Sequence, residues 1–300
     1  MTPGRPKILI FGARGRLGAA LARTYADHFD LRALGRAEGD LSAPAACADF
    51  IRAEKPTIVI NSAAMTNVDL CETKRSLART INADAAGALA RACTEVGARL
   101  IQISTDYVFS GQAQQPYAED AAPEPISWYG QTKLEGEQQV MAADNQHAVV
   151  RVAWVFGPDR DSFLDKAVQT SLRGEPVKAV ADKWSSPSYT LDIAGALRAL
   201  FAPSGPGGIY HVCNRGVCTW RDWAEEGITV AAALGAPVQT RTVEPLRLAD
   251  IAAMNAKRPV YSPMSCARME ALTGRPMRSW QEAVAGYLRL LDEEGRLRVD

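Results

Sequence analysis

The feature that most constrains the fold is a glycine-rich turn between a short apolar run and a helix-forming run near the N-terminus. Residues 7–11 (KILIF) predict a buried parallel strand, and residues 19–23 (AALAR) favour a helix. Gly12, Gly15 and Gly18 lie between them with the spacing G-x-x-G-x-x-G. Such glycines let a backbone approach a pyrophosphate closely, and the free N–H groups of a helix N-terminus attract phosphates. The segment therefore predicts a dinucleotide-binding βα unit, although a glycine turn can join any strand to a helix.

Polar side chains follow a later apolar strand. The strand predicted from residue 99 (RLIQI) runs into Ser104, Thr105 and Asp106. In open α/β sheets ligands bind beyond the carboxyl ends of the strands, and a hydroxyl placed there can hydrogen-bond a substrate oxygen. The same residue types are also common where any strand becomes a loop. This strand end is therefore a candidate substrate site.

A tyrosine and a lysine stand four residues apart in residues 129–133 (YGQTK). On a helix Tyr129 and Lys133 would share one face, and a nearby ammonium favours a phenolate, so we expect Lys133 to lower the pKa of Tyr129. Such a tyrosine can donate a proton to a reacting oxygen or accept one. The spacing also occurs by chance on amphipathic helices. Here it follows the glycine turn and the polar strand end, so the pair is a candidate for acid–base chemistry.

Strand and helix patterns alternate along the first half of the chain. The alternation predicts an α/β fold, a Rossmann-type doubly wound parallel sheet covered by helices on both faces. We expect residues 1–152 to form a dinucleotide-binding Rossmann domain and residues 153–300 mainly a smaller, interleaved substrate-binding domain, with returns to the sheet at about 175–200 and 235–252. The predicted strands are 7–11, 31–34, 58–60, from 99, 147–152, 177–180 and 209–212, and the predicted helices are 45–54, 77–96, from 128, 162–172, 192–201, 221–234 and 280–291.

Composition excludes several classes of partner. The 300 residues include 34 Lys and Arg against 34 Asp and Glu, without a long basic run, which argues against nucleic acid or an anionic membrane as a partner. No apolar stretch is long enough to span a bilayer, and the N-terminal residues lack the apolar core of a signal peptide. The six cysteines show no metal-ligand spacing, so no metal is expected. We therefore expect a reduced, cytoplasmic protein.

In order, the glycine turn, the strand-end hydroxyls and the Y-x-x-x-K pair resemble the extended short-chain dehydrogenase/reductase superfamily. Further stretches, spread over nearly the whole chain, resemble the dTDP-4-dehydrorhamnose reductase family. They are residues 61–69 (NSAAMTNVD), 104–111 (STDYVFSG), 151–157 (RVAWVFG), 182–190 (DKWSSPSYT) and 257–262 (KRPVYS). The resemblance implies NADPH-dependent reduction of the C4 keto group of dTDP-4-dehydro-L-rhamnose to dTDP-L-rhamnose.

The resemblance also implies roles for individual residues. Tyr129 would give the proton, Lys133 would hold the nicotinamide ribose and Thr105 would hydrogen-bond the carbonyl oxygen. Asp106 and Trp154 would contact the sugar, with a loop cap and a core aromatic as their alternative roles. The expected catalytic residues are Thr105, Tyr129 and Lys133, the expected substrate-binding residues are Thr105, Asp106 and Trp154, and the expected cofactor-binding residues are Gly12, Gly15, Arg16, Leu17, Gly18, Arg36, Asp40, Leu41, Ala63, Ala64, Thr66, Tyr129 and Lys133.

The end of the second predicted strand bears on the choice of cofactor. NAD enzymes often place Asp or Glu there for the ribose 2′-hydroxyl, but this sequence has Leu34, Gly35 and Arg36. Arg36, with Arg14 or Arg16 from the glycine turn, could meet a 2′-phosphate as a bidentate fork. Arg36 could equally be a solvated loop charge. The sequence therefore favours NADPH, and NADH stays possible.

Two departures from relatives leave alternatives open. Tyr107 stands where sugar-nucleotide dehydratases carry the glutamate of their acid–base pair, which argues against dehydration. Residues 161–163 (DSF) replace the G-x-N-F stretch of the reductases, so the nucleotide carrier is open. The alternatives are another nucleotide-sugar 4-keto reductase or 4-epimerase, and a non-catalytic NADP-binding regulatory subunit of the methionine adenosyltransferase type. A nucleotide sugar is the expected partner, and a homodimer is possible.

Overall fold

The computed structural model describes residues 5–202 and 205–298. Its strands are β1 Lys7–Phe11, β2 Asp30–Leu34, β3 Ile58–Asn61, β4 Arg99–Thr105, β5 Ala148–Val152, β6 Val155–Phe156, β7 Val177–Val180, β8 Trp184–Ser185, β9 Ser188–Tyr189, β10 Gly208–His211, β11 Cys218–Thr219 and β12 Val243–Leu246. Its α-helices are α1 Arg16–Tyr25, α2 Pro44–Glu54, α3 Val68–Thr73, α4 Arg75–Arg79, α5 Ala85–Val96, α6 Trp128–Ala143, α7 Phe163–Leu172, α8 Thr190–Leu197, α9 Trp220–Ala233, α10 Ala267–Thr273 and α11 Trp280–Glu293. Within these described ranges no helix is long and apolar enough to cross a membrane.

The central sheet has six parallel strands in the order β10-β5-β4-β3-β1-β2. The chain leaves β1 toward β2 on one side and then returns to β3 on the other side. This reversal makes the space above β1 and β3 a topological switch point, where ligands of doubly wound sheets bind. The prediction of a Rossmann-type α/β fold is confirmed.

Two apolar layers cover the two faces of this sheet. On one face Ile8 and Ile10 of β1 pack with residues of α1 and α8. On the other face Leu9 and Phe11 pack with residues of α2 and α5. Successive residues of a strand point to opposite faces, so a strand buried on both faces is apolar throughout, as the run KILIF is. The sequence pattern of β1 therefore follows from its central place in the sheet.

The second half of the chain has its own aromatic-rich core, formed by residues of α7, α9 and α11. The strands at about 175–200 and 235–252 were expected to return to the central sheet, and this expectation is wrong. Strand β7 pairs with β12 in a separate two-stranded parallel sheet, and the late strand that joins the central sheet is β10. Short apolar runs predict strands but carry no information about their partners. From the 175–200 region it is helix α8 that packs against α1 in the first half.

The helix predicted at residues 77–96 is interrupted by a π-helical turn. Helix α4 passes through the turn Thr80–Asp84 into α5. Within the turn, the Asn82 side chain accepts a hydrogen bond from Met65 N–H (2.8 Å) and donates to Thr132 Oγ1 (3.2 Å). Asn82 thereby ties the loop after β3 to helix α6. π-Helical turns occur frequently at functional sites.

Candidate active site

A large cleft of about 1180 Å³ lies at the carboxyl ends of β1, β3, β4 and β5. Its lining runs from the glycine turn after β1 to the segment after β6. The cleft brings together every expected site residue except Gly18, which is buried beneath the turn. The expected residues in the lining are Gly12, Gly15, Arg16, Leu17, Arg36, Asp40, Leu41, Ala63, Ala64, Thr66, Thr105, Asp106, Tyr129, Lys133 and Trp154.

The glycine turn is required by close backbone contacts. Gly12 has a φ of +80°, and a Cβ atom on it would lie 2.7 Å from the backbone nitrogen of Ala63. A Cβ atom on Gly18 would lie 2.1 Å from the carbonyl oxygen of Gly12. Helix α1 starts at Arg16 with neither a side-chain cap nor an acidic residue in its first turn. Its first N–H groups therefore face the cleft as donors for an anionic group.

The two arginines of the glycine turn lie in different places. Arg16 points away from Arg36: its guanidinium donates to the carbonyl oxygens of Arg160 (3.0 Å), Val155 (3.2 Å) and Asp161. The expectation that the Arg16 side chain could join Arg36 in binding a 2′-phosphate is therefore wrong, because its guanidinium already donates hydrogen bonds to these carbonyl oxygens. Arg14 instead lies over Gly35, where a Cβ atom would be 2.8 Å from its Nε atom. Arg14 and the exposed Arg36 thus flank the outer end of the cleft.

Small and short side chains make the rest of this side of the cleft. Ala63 and Ala64 follow β3, and Thr66 is exposed in the same loop. Asp40 Oδ1 accepts a hydrogen bond from Ser42 N–H (2.9 Å), which holds the pKa of Asp40 below its usual value. We call this side the glycine wall and define it as Gly12, Arg14, Gly15, Gly35, Arg36, Ala63, Ala64 and Thr66.

Thr105 and Asp106 end strand β4 at the centre of the cleft, and both are buried. The Thr105 hydroxyl donates to Asp106 Oδ1 (3.1 Å) and accepts a hydrogen bond from Tyr107 N–H (3.2 Å). Thr105, and not Asp106, is the residue whose side chain caps the following 3₁₀ turn Asp106–Val108. The loop-cap alternative for Asp106 is therefore wrong, because its carboxylate accepts hydrogen bonds from side-chain hydroxyls.

The expected lowering of the Tyr129 pKa is wrong. Tyr129 lies on α6 and is 8% exposed, and burial raises its pKa more than a hydrogen bond with Thr105 lowers it. Lys133 lies one turn further along and donates from Nζ to the carbonyl oxygen of Ile103 (2.6 Å). Burial lowers the pKa of Lys133 to about 8, opposed by the charge of Glu137. Tyr129 is therefore a protonated phenol at neutral pH, which suits a proton donor.

Trp154 lines the cleft with an unusual backbone. Its φ is +42°, a left-handed conformation that non-glycine residues rarely adopt and that costs on the order of 1–3 kcal/mol. Its ring stacks on Trp223 at 5.8 Å between centroids, so the core-aromatic alternative is correct for one part of the side chain. Its Nε1 is buried and has no hydrogen-bond partner among the described residues. Strained residues with free donors cluster at ligand sites.

The sequence patterns gave no role to three buried residues near Asp106, Tyr107 and Trp154. They are Lys183, Ser185 and Ser262. The Asp106 carboxylate accepts hydrogen bonds from Ser262 Oγ (2.6 Å) and Ser185 Oγ (3.3 Å). Lys183 Nζ lies 5.5 Å from the centre of the Tyr107 ring and 5.6 Å from that of the Trp154 ring. We call this side the back wall. It consists of the cleft-lining residues Asp106, Tyr107 and Trp154 and of three buried residues behind them, Lys183, Ser185 and Ser262.

The back wall is assembled by pairing between two distant segments. Trp184 N–H donates to the carbonyl oxygen of Val260 (2.7 Å), and Ser262 N–H donates to that of Trp184 (2.9 Å). Arg258 in the same late segment pairs with Asp69 (2.5 Å). Residues 182–190 and 257–262 are two of the stretches that resemble a family. This resemblance is the sequence feature that could have identified Lys183, Ser185 and Ser262. No local pattern showed that the two stretches would meet.

The segment that departs from the reductase pattern has a structural role. Ser162 is buried and caps α7: its Oγ accepts from Leu164 N–H (3.2 Å), and Asp165 accepts from Ser162 N–H (2.7 Å). Asp161 is exposed at the rim of the cleft. Phe163 stacks on Trp220 at 5.1 Å between centroids.

The glycine wall fits a dinucleotide. It offers a backbone turn too tight for side chains, an uncapped helix N-terminus for phosphates, and two arginines at the outer end. The alanines after β3 leave room for a flat ring system. A dinucleotide along this wall would have its reactive end near Tyr129 and Lys133, where the two walls meet.

The chain is similar to known proteins in both sequence and structure. Residues 6–292 match the family model described as RmlD substrate binding domain. The chain is 36% identical to a dTDP-4-dehydrorhamnose reductase of Streptomyces griseus over 93% of this chain and 92% of that protein. It is also 36% identical to a probable dTDP-4,6-dihydroxy-2-methyloxan-3-one 4-ketoreductase of Streptomyces antibioticus, over 92% of each chain. A crystal structure of dTDP-4-dehydrorhamnose reductase from Bacillus anthracis in complex with NADP matches with a TM-score of 0.88 at 32% identity, over 95% of this chain and 99% of that chain.

Proposed function

The chain belongs to the family described as the RmlD substrate binding domain, and we propose that it reduces the C4 keto group of dTDP-4-dehydro-L-rhamnose to dTDP-L-rhamnose with NADPH. The similar proteins from Streptomyces griseus and Bacillus anthracis carry the name of this reductase, and the latter was crystallised with NADP. The observation that carries the proposal is the meeting of Thr105, Tyr129 and Lys133 in one cleft between the glycine wall and the back wall.

The reduction of a ketone needs a hydride at carbon and a proton at oxygen. NADPH supplies the hydride when it is bound. Tyr129 supplies the proton, since its buried phenol is protonated at neutral pH. The resulting phenolate is stabilised by the ammonium of Lys133 on the same helix face, while the Thr105 hydroxyl donates its proton to Asp106.

Each wall has a separate task in this proposal. The glycine wall and the start of α1 bind the dinucleotide, with Arg36 and Arg14 at its 2′-phosphate. Asp106 and Trp154 of the back wall orient the sugar, and the burial of this wall excludes water from the carbonyl. We also propose that residues 1–152 mainly bind the cofactor and residues 153–300 mainly bind the substrate. A homodimer and a cytoplasmic location stay predictions from the sequence.

A second substrate is favoured by one specific observation. The Streptomyces antibioticus relative, as similar as the Streptomyces griseus one, is named as a 4-ketoreductase of a different dTDP-linked sugar. Reduction at C4 of a dTDP-linked keto sugar is common to both names. The carrier and the reaction are therefore the same in the two candidate functions, and the sugar differs.

The test is to supply the 4-keto-6-deoxy sugar on dTDP, UDP and GDP carriers. NADPH oxidation is followed by absorbance, and the product is identified by mass and by proton NMR. We expect turnover with the dTDP sugar and dTDP-L-rhamnose as product. Turnover with UDP or GDP sugars alone would keep the chemistry and discard the rhamnose assignment. Binding of NADPH without oxidation in the presence of any carrier would contradict the reductase proposal.

A further inference from the structure

We propose that Lys183 is a positioning residue of the substrate cleft, which keeps the Asp106 carboxylate anionic so that it accepts a hydrogen bond from a sugar hydroxyl beside the carbonyl. The inference rests on the proposed function, because the hydroxyl belongs to its substrate class. It deepens that function by naming which group of the sugar is recognised and which buried charge makes recognition possible.

Lys183 is placed without any solvent contact. It is 0% exposed, and its Nζ donates to the carbonyl oxygen of Pro259 (2.7 Å). The ammonium also lies near the rings of Tyr107 and Trp154, close enough for cation–π attraction. A buried ammonium is costly unless paired, since water no longer solvates it. One carbonyl and two rings offset only part of that cost, so the charge of a nearby carboxylate is needed.

That carboxylate is Asp106, which is 2% exposed. Its Oδ2 accepts from Ser262 Oγ (2.6 Å) and Ser185 Oγ (3.3 Å), and its Oδ1 accepts from Thr105 Oγ1 (3.1 Å). A carboxylate has about four acceptor sites. Three hydroxyls occupy three of them, which leaves one acceptor site on Oδ1, and Asp106 is a residue of the cleft lining. This arrangement accepts a fourth hydroxyl, such as that of a sugar.

The two buried charges belong to one cluster without a direct ion pair, since Lys183 lies over the ring of Tyr107 and Ser185 donates to Asp106. Burial raises the pKa of Asp106, and the charge of Lys183 lowers it again. Burial lowers the pKa of Lys183 to about 8, and the charge of Asp106 raises it. The other titratable groups facing the pair are Tyr107, Tyr129, Cys213 and Arg258. Of these only Arg258 is cationic, and it is already paired with Asp69.

Removal of the Lys183 charge therefore has a defined consequence. In Lys183→Met the Asp106 pKa has no opposing cation, so protonation of Asp106 begins at a higher pH. A protonated Asp106 has lost an acceptor, so the sugar binds less well as the pH falls. The glycine wall is unchanged, so NADPH affinity stays the same. Lys183→Arg keeps a cation in place and retains the wild-type pH profile.

The experiment measures kcat and KM for the sugar nucleotide, and Kd for NADPH, from about pH 5.5 to about pH 8. The variants are Lys183→Met, Lys183→Gln in case the first does not fold, and Lys183→Arg. Lys178→Met is the matched control, because Lys178 is an exposed lysine on β7 that pairs with Glu244. We expect KM for the sugar in the neutral variants to rise about tenfold per pH unit on the acid side, with kcat changing less. The arginine variant and the control should follow the wild type.

A second measurement does not depend on turnover. The titration of the Asp106 carboxyl carbon is followed by carbon-13 NMR, with its signal assigned by its loss in Asp106→Asn. We expect its midpoint in Lys183→Met or Lys183→Gln to lie at least about one pH unit above the wild-type midpoint. Equal midpoints would overturn the proposal, whether or not the enzyme is active. An inactive wild type with displaced midpoints would instead contradict the proposed function and keep the role of Lys183.

Discussion

The two walls of the cleft are built in opposite ways. The glycine wall comes from the continuous first quarter of the chain and offers backbone atoms, alanines and glycines, with arginines only at its outer end. The back wall combines residues 106–107, 154, 183–185 and 262 and offers buried charges, hydroxyls and aromatic rings. A pyrophosphate presents much the same shape in every dinucleotide, so a backbone cradle suffices to bind it. A particular sugar requires side chains in particular places.

The two walls also differ in the physical effect that restricts which residues they can contain. Sterics limit the glycine wall, since a single added carbon would meet backbone atoms closer than any real contact. Desolvation limits the back wall, because burial disfavours the charged forms of both Asp106 and Lys183.

Tyr129→Phe should have the largest effect on turnover. Tyr129 belongs to neither wall. The substitution removes the proton donor at the junction of the two walls, so turnover should fall by about 100-fold or more, while NADPH and the sugar nucleotide bind as before. Stopped-flow turnover and separate binding titrations measure the two properties. Near-normal turnover in the folded variant would remove Tyr129 from the mechanism.

Arg36→Ala and Asp106→Asn should separate the walls. Loss of the Arg36 guanidinium should weaken NADPH binding by about 1.5–3 kcal/mol, the range for a hydrogen bond to a charged group, and leave NADH and the sugar nucleotide nearly unaffected. Asp106→Asn should instead weaken the sugar nucleotide alone. Calorimetric titration of all three ligands into both variants tests this. Equal losses of NADPH and NADH in Arg36→Ala would show that Arg36 does not distinguish them.

Gly18→Ala tests the steric limit of the glycine wall. Its Cβ would lie 2.1 Å from the Gly12 carbonyl oxygen, so the turn must shift, and the free energy of unfolding should fall by about 1–3 kcal/mol. Gly195→Ala is the matched control, because Gly195 lies in helix α8 and a Cβ atom there would meet no atom of the described residues within 4 Å outside its own helix backbone and chain neighbours. The control should be stabilised by about 0.5–1 kcal/mol. Denaturant unfolding measures both, and equal stability of the two variants would contradict the close contact.

The pH dependence should be the smallest effect. Lys133 and Lys183 both have a pKa lowered to about 8 by burial, so both are charged below this pH and lose their charge above it. One unit above a pKa about a tenth of a group stays protonated, so kcat/KM should fall by up to about tenfold between pH 8 and pH 9. In Lys183→Met this alkaline fall should remain, because the effect of a neutral residue 183 on KM is confined to the acid side, so the fall reports on Lys133. A flat wild-type profile to pH 10 would mean that Lys133 keeps its charge.

The glycine wall could be predicted from the sequence because its residues are neighbours in the chain. The run KILIF, the three glycines and the lack of an acid at residues 34–36 each have a local physical meaning, and the fold class followed from the alternation of strand and helix patterns. The error there concerned Arg16, whose side chain turns to carbonyls about 140 residues away.

The back wall could be predicted only in part. Asp106 and Trp154 were expected from a resemblance, but Lys183 and Ser262 come together by backbone pairing of Trp184 with residues of the late segment, which no local pattern specifies. The partners of β7 and β12 were missed for the same reason. The pKa of Tyr129 was misjudged because burial, a property of the whole fold, outweighs the effect of a neighbouring lysine.

The central claim is that the two walls bring a dinucleotide and a keto sugar together for hydride transfer at C4. The most direct test is to supply the dTDP-linked 4-keto-6-deoxy sugar with NADPH that carries deuterium at both C4 positions of its nicotinamide. The account predicts a product with one deuterium, located by NMR on the C4 carbon of the sugar. A product without deuterium, or with deuterium at another carbon, would contradict it.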